Sequence, residues 1–152
     1  MNINLRDAAI TIKDGTGTPQ TVTLKVGEGN LTWTEKRTIE YIRDRGIIDT
    51  VREGDDEPVD VSFDIMWETL DSSTSGFKCP FGIIKGDSDY VSTGNACEPY
   101  ACDIEIVIAN AGCGINETVT LADFRYEELS YDLRGGSISC SGKCNIKNAA
   151  IS

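Results

Sequence analysis

The residues of this 152-residue chain best equipped for chemistry are six cysteines: Cys79, Cys97, Cys102, Cys113, Cys140 and Cys144. Cys97 with Cys102 and Cys140 with Cys144 could supply the four thiolates of a zinc site, but their spacings depart from the two-residue zinc knuckle. The flanks of Cys140 and Cys144 read as strand. Residues four apart on a regular strand lie about 13 Å apart, beyond the reach of one metal or one disulfide. Three outcomes therefore stand: a four-thiolate zinc site, a disulfide such as Cys97 with Cys113, and reduced thiols acting as small hydrophobes. The run Glu53-Gly54-Asp55-Asp56-Glu57 offers carboxylates to calcium, yet it lacks the ligand spacing and closing Glu of a calcium loop. A solvated, self-repelling acidic loop is the expectation there.

There is no histidine. That removes the usual general base, the usual partner of a nucleophilic Ser or Cys, and the commonest metal ligand. Carboxylate pairs remain available for glycosidase chemistry, but no spacing selects one. No enzymatic activity and no cofactor are expected. A net charge of -11 disfavours a basic groove that grips phosphates, whereas an acidic surface can let a polyanion pass without sticking. No apolar run is long enough to span a bilayer, and Met1 to Ala9 lacks an apolar signal core. A single domain over residues 1–152, made in the cytoplasm and without a membrane partner, is expected.

The elements that must position these groups read as strands, because apolar residues alternate with polar ones and Val, Ile and Thr are frequent. Ile10 and Ile12, a turn at Asp14-Gly15-Thr16-Gly17, and Val22, Leu24 and Val26 predict a hairpin. Leu31 and Trp33 follow. The strongest pattern runs from Val59 to about Leu70, with Val59, Val61, Phe63, Ile65 and Trp67 on one face. Ile104, Ile106 and Ile108 form another strand, Val119 and Leu121 the next, Phe124 to Arg134 a long one, and Ile138 and Cys140 the last. Helical spacing of Phe77, Phe81 and Ile84, with Pro80 in a first turn, predicts one short helix over about 76–85. Asp87 to Pro99 reads as loop. Lys36 to Pro58 reads as a long inter-strand loop whose Ile39, Tyr41, Ile42, Ile47, Ile48 and Val51 argue against disorder.

Four strand faces opposite the apolar ones carry small hydroxyls and carboxylates: Thr32 and Thr34; Asp60, Ser62 and Asp64; Glu128, Ser130 and Asp132; Ser137, Ser139 and Ser141. They contain no lysine. Basic residues gather in or beside the long loop, as Lys36, Arg37, Arg43, Arg45 and Arg52. Such faces could be the solvent side of any antiparallel sheet, or a wall past which a polyanion slips.

The phrases Gly27-Glu28-Gly29-Asn30-Leu31-Thr32-Trp33-Thr34-Glu35-Lys36, Arg45-Gly46, Asp49-Thr50-Val51-Arg52-Glu53-Gly54-Asp55 and Pro58-Val59-Asp60-Val61-Ser62-Phe63 resemble tail tube proteins of tailed bacteriophages. So do Cys97-Glu98-Pro99-Tyr100-Ala101, Asp123-Phe124-Arg125-Tyr126-Glu127, Asp132-Leu133-Arg134-Gly135-Gly136 and Ser141-Gly142-Lys143-Cys144-Asn145. The resemblance implies an all-β fold, an antiparallel β-sandwich or barrel-like tail tube fold with one short helix. It implies homo-hexameric rings stacked into a hollow tube in the virion tail, meeting tape measure, baseplate or tail terminator proteins and passing DNA without specific binding. Thr32, Thr34, Asp60, Ser62, Asp64, Glu128, Ser130, Asp132, Ser137 and Ser139 would then face the lumen. Arg37, Ile39, Tyr41, Arg43, Arg45, Ile47, Ile48, Arg52 and Asp55 would contact neighbouring subunits or rings. The competing reading is a monomeric β-sandwich binding module, for a carbohydrate or another ligand, using exposed Trp67, Tyr90 or Tyr100; the alternation instead puts Trp67 in the core.

Overall fold

A computed structural model of the chain describes residues 8–17, 21–23, 30–66, 80–86, 90–108 and 116–152. The strands are β1 (Ala8–Lys13), β2 (Thr21–Thr23), β3 (Asn30–Thr34), β4 (Arg37–Asp44), β5 (Ile47–Asp56), β6 (Val59–Met66), β7 (Cys102–Ile108), β8 (Glu117–Asp132), β9 (Ser137–Cys144) and β10 (Ala150–Ile151). Among the described residues one helix, α1 (Pro80–Lys85), stands between β6 and β7. The fold is all-β and antiparallel. One curled, half-barrel sheet runs in the order β2-β1-β7-β8-β9-β6-β3, with β10 joined to β8 beyond the end of β9.

The core lies on one face of that sheet, as the period-two alternation requires. Ile10, Ile12, Val59, Val61, Phe63, Ile65, Ile104, Ile106, Val119, Leu121, Phe124, Ile138, Cys140 and Cys144 are all buried. Phe63 and Phe124 meet near its centre with ring centroids 5.8 Å apart and a 53° tilt, a geometry worth about 0.5–1.5 kcal/mol beyond area burial. Ile83 and Ile84 of α1 complete the core. Pro80 opens this helix as expected, and Gly86, at φ +77, ends it with the left-handed residue that a helix stop favours. The Tyr100 hydroxyl donates to the Ile83 carbonyl at 2.7 Å, satisfying one of the acceptors the helix end leaves open. The expected helical residues 76–79, the strand residues 67–70 and Leu24 and Val26 of the first hairpin lie outside the described residues.

Two expectations are corrected by the pairing. Val119-Leu121 and the stretch from Phe124 to Asp132 belong to one sixteen-residue strand, not two, and Leu133 and Arg134 lie in the turn that follows it. An extra residue near Asp123, which takes φ 55, shifts the phase between Leu121 and Phe124, and that shift reads in the sequence as a break. A second irregularity between Tyr126 and Glu128 brings β8 close to β9. There a Cβ on Gly142 would fall 2.1 Å from the Arg125 carbonyl oxygen and 2.8 Å from the Tyr126 Cα. Gly142→Ala is expected to force β8 and β9 apart and lower stability by about 1–3 kcal/mol, the usual range for overpacking. Chemical denaturation measures it, and an unchanged midpoint would show that the strands separate at no cost.

The second correction concerns residues 36–58, which are not a loop. β4 and β5 form a separate two-stranded sheet, closed by Arg45 (φ 51) and Gly46 (φ 82) as a two-residue turn with both central residues left-handed. The Glu53–Glu57 run is accordingly the end of β5 and its exit, not a free acidic loop.

Candidate assembly surfaces

The four described cysteines do not converge on a metal geometry. Cys102, Cys140 and Cys144 are buried in the core while Cys97 is exposed, and no group of three or more metal-ligating side chains is found among the described residues. Burial pushes the Cys140 and Cys144 thiols up to about 12 and raises Cys102 still further, so all three are protonated and unreactive near neutral pH. The proposed Cys97–Cys113 disulfide falls outside the described residues, because Cys113 does. The aromatic platform is not formed by Tyr90 and Tyr100: Tyr90 is 8% exposed, and Tyr100 lies against Gly86 with its hydroxyl engaged. Trp67 lies outside the described residues.

The polar faces do converge. Residues directly opposite in an antiparallel pair put their side chains on the same side of the sheet. Thr34 stands opposite Asp60 and Thr32 opposite Ser62. Across the next pairing Ser62 meets Ser141 and Asp64 meets Ser139. One strand further, Ser141 meets Glu128, Ser139 meets Ser130, and Ser137 meets Asp132. All ten residues expected at a lumen thus share one side of the four consecutive strands β3, β6, β9 and β8, opposite the core. Sequence periodicity gave each row separately, and the register sets the rows side by side.

The surface is not free of lysine. β9 runs on past Ser141, and Lys143, two residues further, stands opposite Asp60 on this same side, its Nζ 3.9 Å from the carboxylate. Lys36 also pairs with Asp60. The hydrogen bond and charge of Lys36 hold the Asp60 carboxyl below its usual range, and the same bond raises Lys36. A lowered carboxyl pKa means that the pair's contribution is present above the ordinary carboxylate range and fades as pH falls through the lowered value.

The second surface is the β4–β5 hairpin. Its register sorts the side chains into two faces. Ile39, Tyr41 and Arg43 share a face with Val51 and Ile48, whereas Glu40, Ile42 and Asp44 lie with Arg52, Thr50 and Ile47. Arg52 and Glu40 form an ion pair across the second face. Tyr41, Ile47, Ile48 and Val51 are all more than half exposed, an unusual concentration of bare apolar surface on one element. Arg43 and Arg45 stand exposed toward the tip, and Arg37 and Asp55 lie nearer the base. The signal for this hairpin was present in the sequence as Thr38-Ile39-Glu40-Tyr41 and Thr50-Val51-Arg52 around Arg45-Gly46. Arg is an uncommon first residue of such a turn, which disguised it.

No protein-family model and no curated protein matches this chain. Its fold, however, is that of a solved structure. The chain is similar to the PVC sheath/tube terminator of an extracellular contractile injection system, seen in its extended state by cryo-electron microscopy, at a TM-score of 0.64 and 10% identity. The alignment covers 100% of this chain and 97% of that one. A chain of the anti-feeding prophage (AFP) baseplate aligns over 100% of this chain and 94% of its own length, also at 10% identity, with a TM-score of 0.45.

Proposed function

We propose that this chain is a structural subunit of a phage-tail-like particle, and that six copies close into rings which stack as the hollow tail tube of a virion through which DNA passes. The observation that carries this reading is the gathering of Thr32, Thr34, Asp60, Ser62, Asp64, Glu128, Ser130, Asp132, Ser137 and Ser139 on one side of four adjacent strands. A wall of short hydroxyls and carboxylates offers a polyanion few cations to bind and repels its phosphates. The six-fold ring comes from the resemblance to tail tube proteins. The hairpin then joins neighbouring copies or successive rings through Ile39, Tyr41, Ile48 and Val51, with Arg37, Arg43, Arg45, Ile47, Arg52 and Asp55 around them. Tape measure, baseplate and terminator proteins would meet the tube at its ends, after assembly in the host cytoplasm.

A second reading follows from the full-length likeness to a sheath/tube terminator: a single ring that ends a tube without forming one. Negative-stain microscopy at high protein concentration separates the readings. Stacked tubes support the tube subunit, and isolated rings without stacking support the terminator. Discrete monomer-sized particles at every concentration would overturn both.

A further inference from the structure

The hairpin has no apolar seat on the body: among the described residues β4 and β5 pair only with each other, and none of their side chains belongs to the core. Its roots are instead held by the segment that follows β9. Ile146 and Ala149 of that segment pack against the core, and Asn145 donates its N–H to the Asp123 carbonyl at 3.4 Å. Beyond them β10 pairs with β8, and Thr118 and Ser152 exchange backbone hydrogen bonds of 2.9 Å. Anchored at both ends, the segment crosses the hairpin base. Lys147 Nζ lies 3.2 Å from a Glu53 carboxylate oxygen and 3.2 Å from an Asp56 one, both on β5. Two residues on, the Ala149 N–H donates to Glu35 Oε1 at 2.8 Å, just before β4. Arg37 adds a longer contact to Glu53, 3.9 Å.

We infer that residues 145–149 form an ionic strap that grips both roots of the hairpin and sets the direction in which it projects. The strap touches β5 through the Lys147 side chain and the approach to β4 through the Ala149 backbone, so one short segment, with the Lys36–Asp60 pair beside it, ties the two strands to the sheet. The Lys147 and Arg37 contacts are between solvent-exposed charges, whose attraction decays over a Debye length of about 10 Å at 0.1 M and about 3 Å at 1 M, so that high salt weakens even these short pairs. The hairpin direction is therefore a salt-sensitive variable, narrow at low ionic strength and broad at high. This holds whether or not the hairpin joins copies, because it concerns the isolated chain.

Spin labels carried by non-canonical residues at positions 45 and 117 report the direction, the native cysteines being left untouched. Pulsed dipolar spectroscopy on the full chain, below any concentration at which it associates, is expected to give one narrow distance at 20 mM salt. One molar salt should broaden it severalfold. Lys147→Glu should produce the broad distribution at low salt, with little further response to added salt, while Lys147→Arg should retain the narrow one. The double substitution Glu53→Gln with Asp56→Asn should reproduce the Lys147→Glu result from the other side. A distribution in the unsubstituted chain that one molar salt leaves unchanged would overturn the proposal, as would a narrow one in Lys147→Glu.

Discussion

Replacing Tyr41, Ile48 and Val51 together with aspartate is expected to abolish association between copies while leaving each copy folded. These side chains are 57%, 56% and 54% exposed in the single chain, so their loss removes little that holds the fold together. In an assembled state that covers what is still exposed of them, each would contribute about half of the full-burial value, about 0.8–1.5 kcal/mol. Losing all three costs about 2.4 kcal/mol at the low end, and three covered carboxylates add a desolvation penalty of at least about 1 kcal/mol each. Since about 1.4 kcal/mol is a tenfold change, association should weaken more than about a thousandfold. Thr50→Asp, on the opposite hairpin face, is the control and should leave association close to unchanged. Sedimentation velocity with circular dichroism reads both quantities. If the triple variant assembles like the parent, the hairpin is not the joint between copies. If it fails to fold, the apolar face serves the single chain instead.

Legibility in the sequence tracked how local the deciding interaction was. The alternation of Val59, Val61, Phe63 and Ile65 against Asp60, Ser62 and Asp64 is a property of seven consecutive residues, and the structure buries the first set and exposes or half-exposes the second. The same holds for Ile138 and Cys140 against Ser137 and Ser139. What periodicity alone could not give was the order of the strands. That Ser62 stands between Thr32 and Ser141, and Ser141 between Ser62 and Glu128, depends on pairings across tens of residues. Their cost is chain entropy and their reward is a shared core, and no local propensity encodes either. The bulge at Asp123 was unreadable for a related reason. An extra residue in one strand is defined only against its partner, and the partner of Leu121 is Ile104.

The hairpin was missed as a hairpin because its exposed apolar residues look like loop anomalies when no core claims them. The strap was invisible altogether. Lys147 is one lysine in a polar stretch, and its meaning comes from two carboxylates about ninety residues earlier in the chain that fold beneath it. Glu53 and Asp56, read locally, form part of a self-repelling acidic run. Read with Lys147 and Arg37 in place, they are half of an ion-pair network, whose members share the entropy of being ordered.

Converting the shared polar face from acidic to basic is expected to make it hold DNA, and the choice of positions follows from the contacts. Asp60 is unsuitable because it pairs with Lys36 and Lys143, and Asp132 because its carboxylate accepts the Arg134 and Gly135 amides in the β8–β9 turn. Asp64 has no hydrogen bond or ion pair among the described contacts, Glu128 has only a 3.5 Å bond from the exposed Ser130 hydroxyl, and the two sit two strands apart on the same side. The variant Asp64→Lys with Glu128→Lys adds two cations and removes two anions per subunit, repeated around every ring of a tube. Each phosphate neutralised steepens the salt dependence of binding by about 0.9 in the logarithmic slope, so even a few contacts per ring should give tight retention at 50 mM salt that is lost above about 200 mM. Tubes of the parent chain should retain no DNA under either condition. The geometry of the probe tells inside from outside. Short linear duplexes can thread a lumen, whereas closed circular plasmid cannot. A face that lines the tube predicts that variant tubes co-sediment with the linear fragment and leave the plasmid in solution. Capture of both would put the face on the outer wall, and capture of neither would remove the electrostatic argument for a conduit.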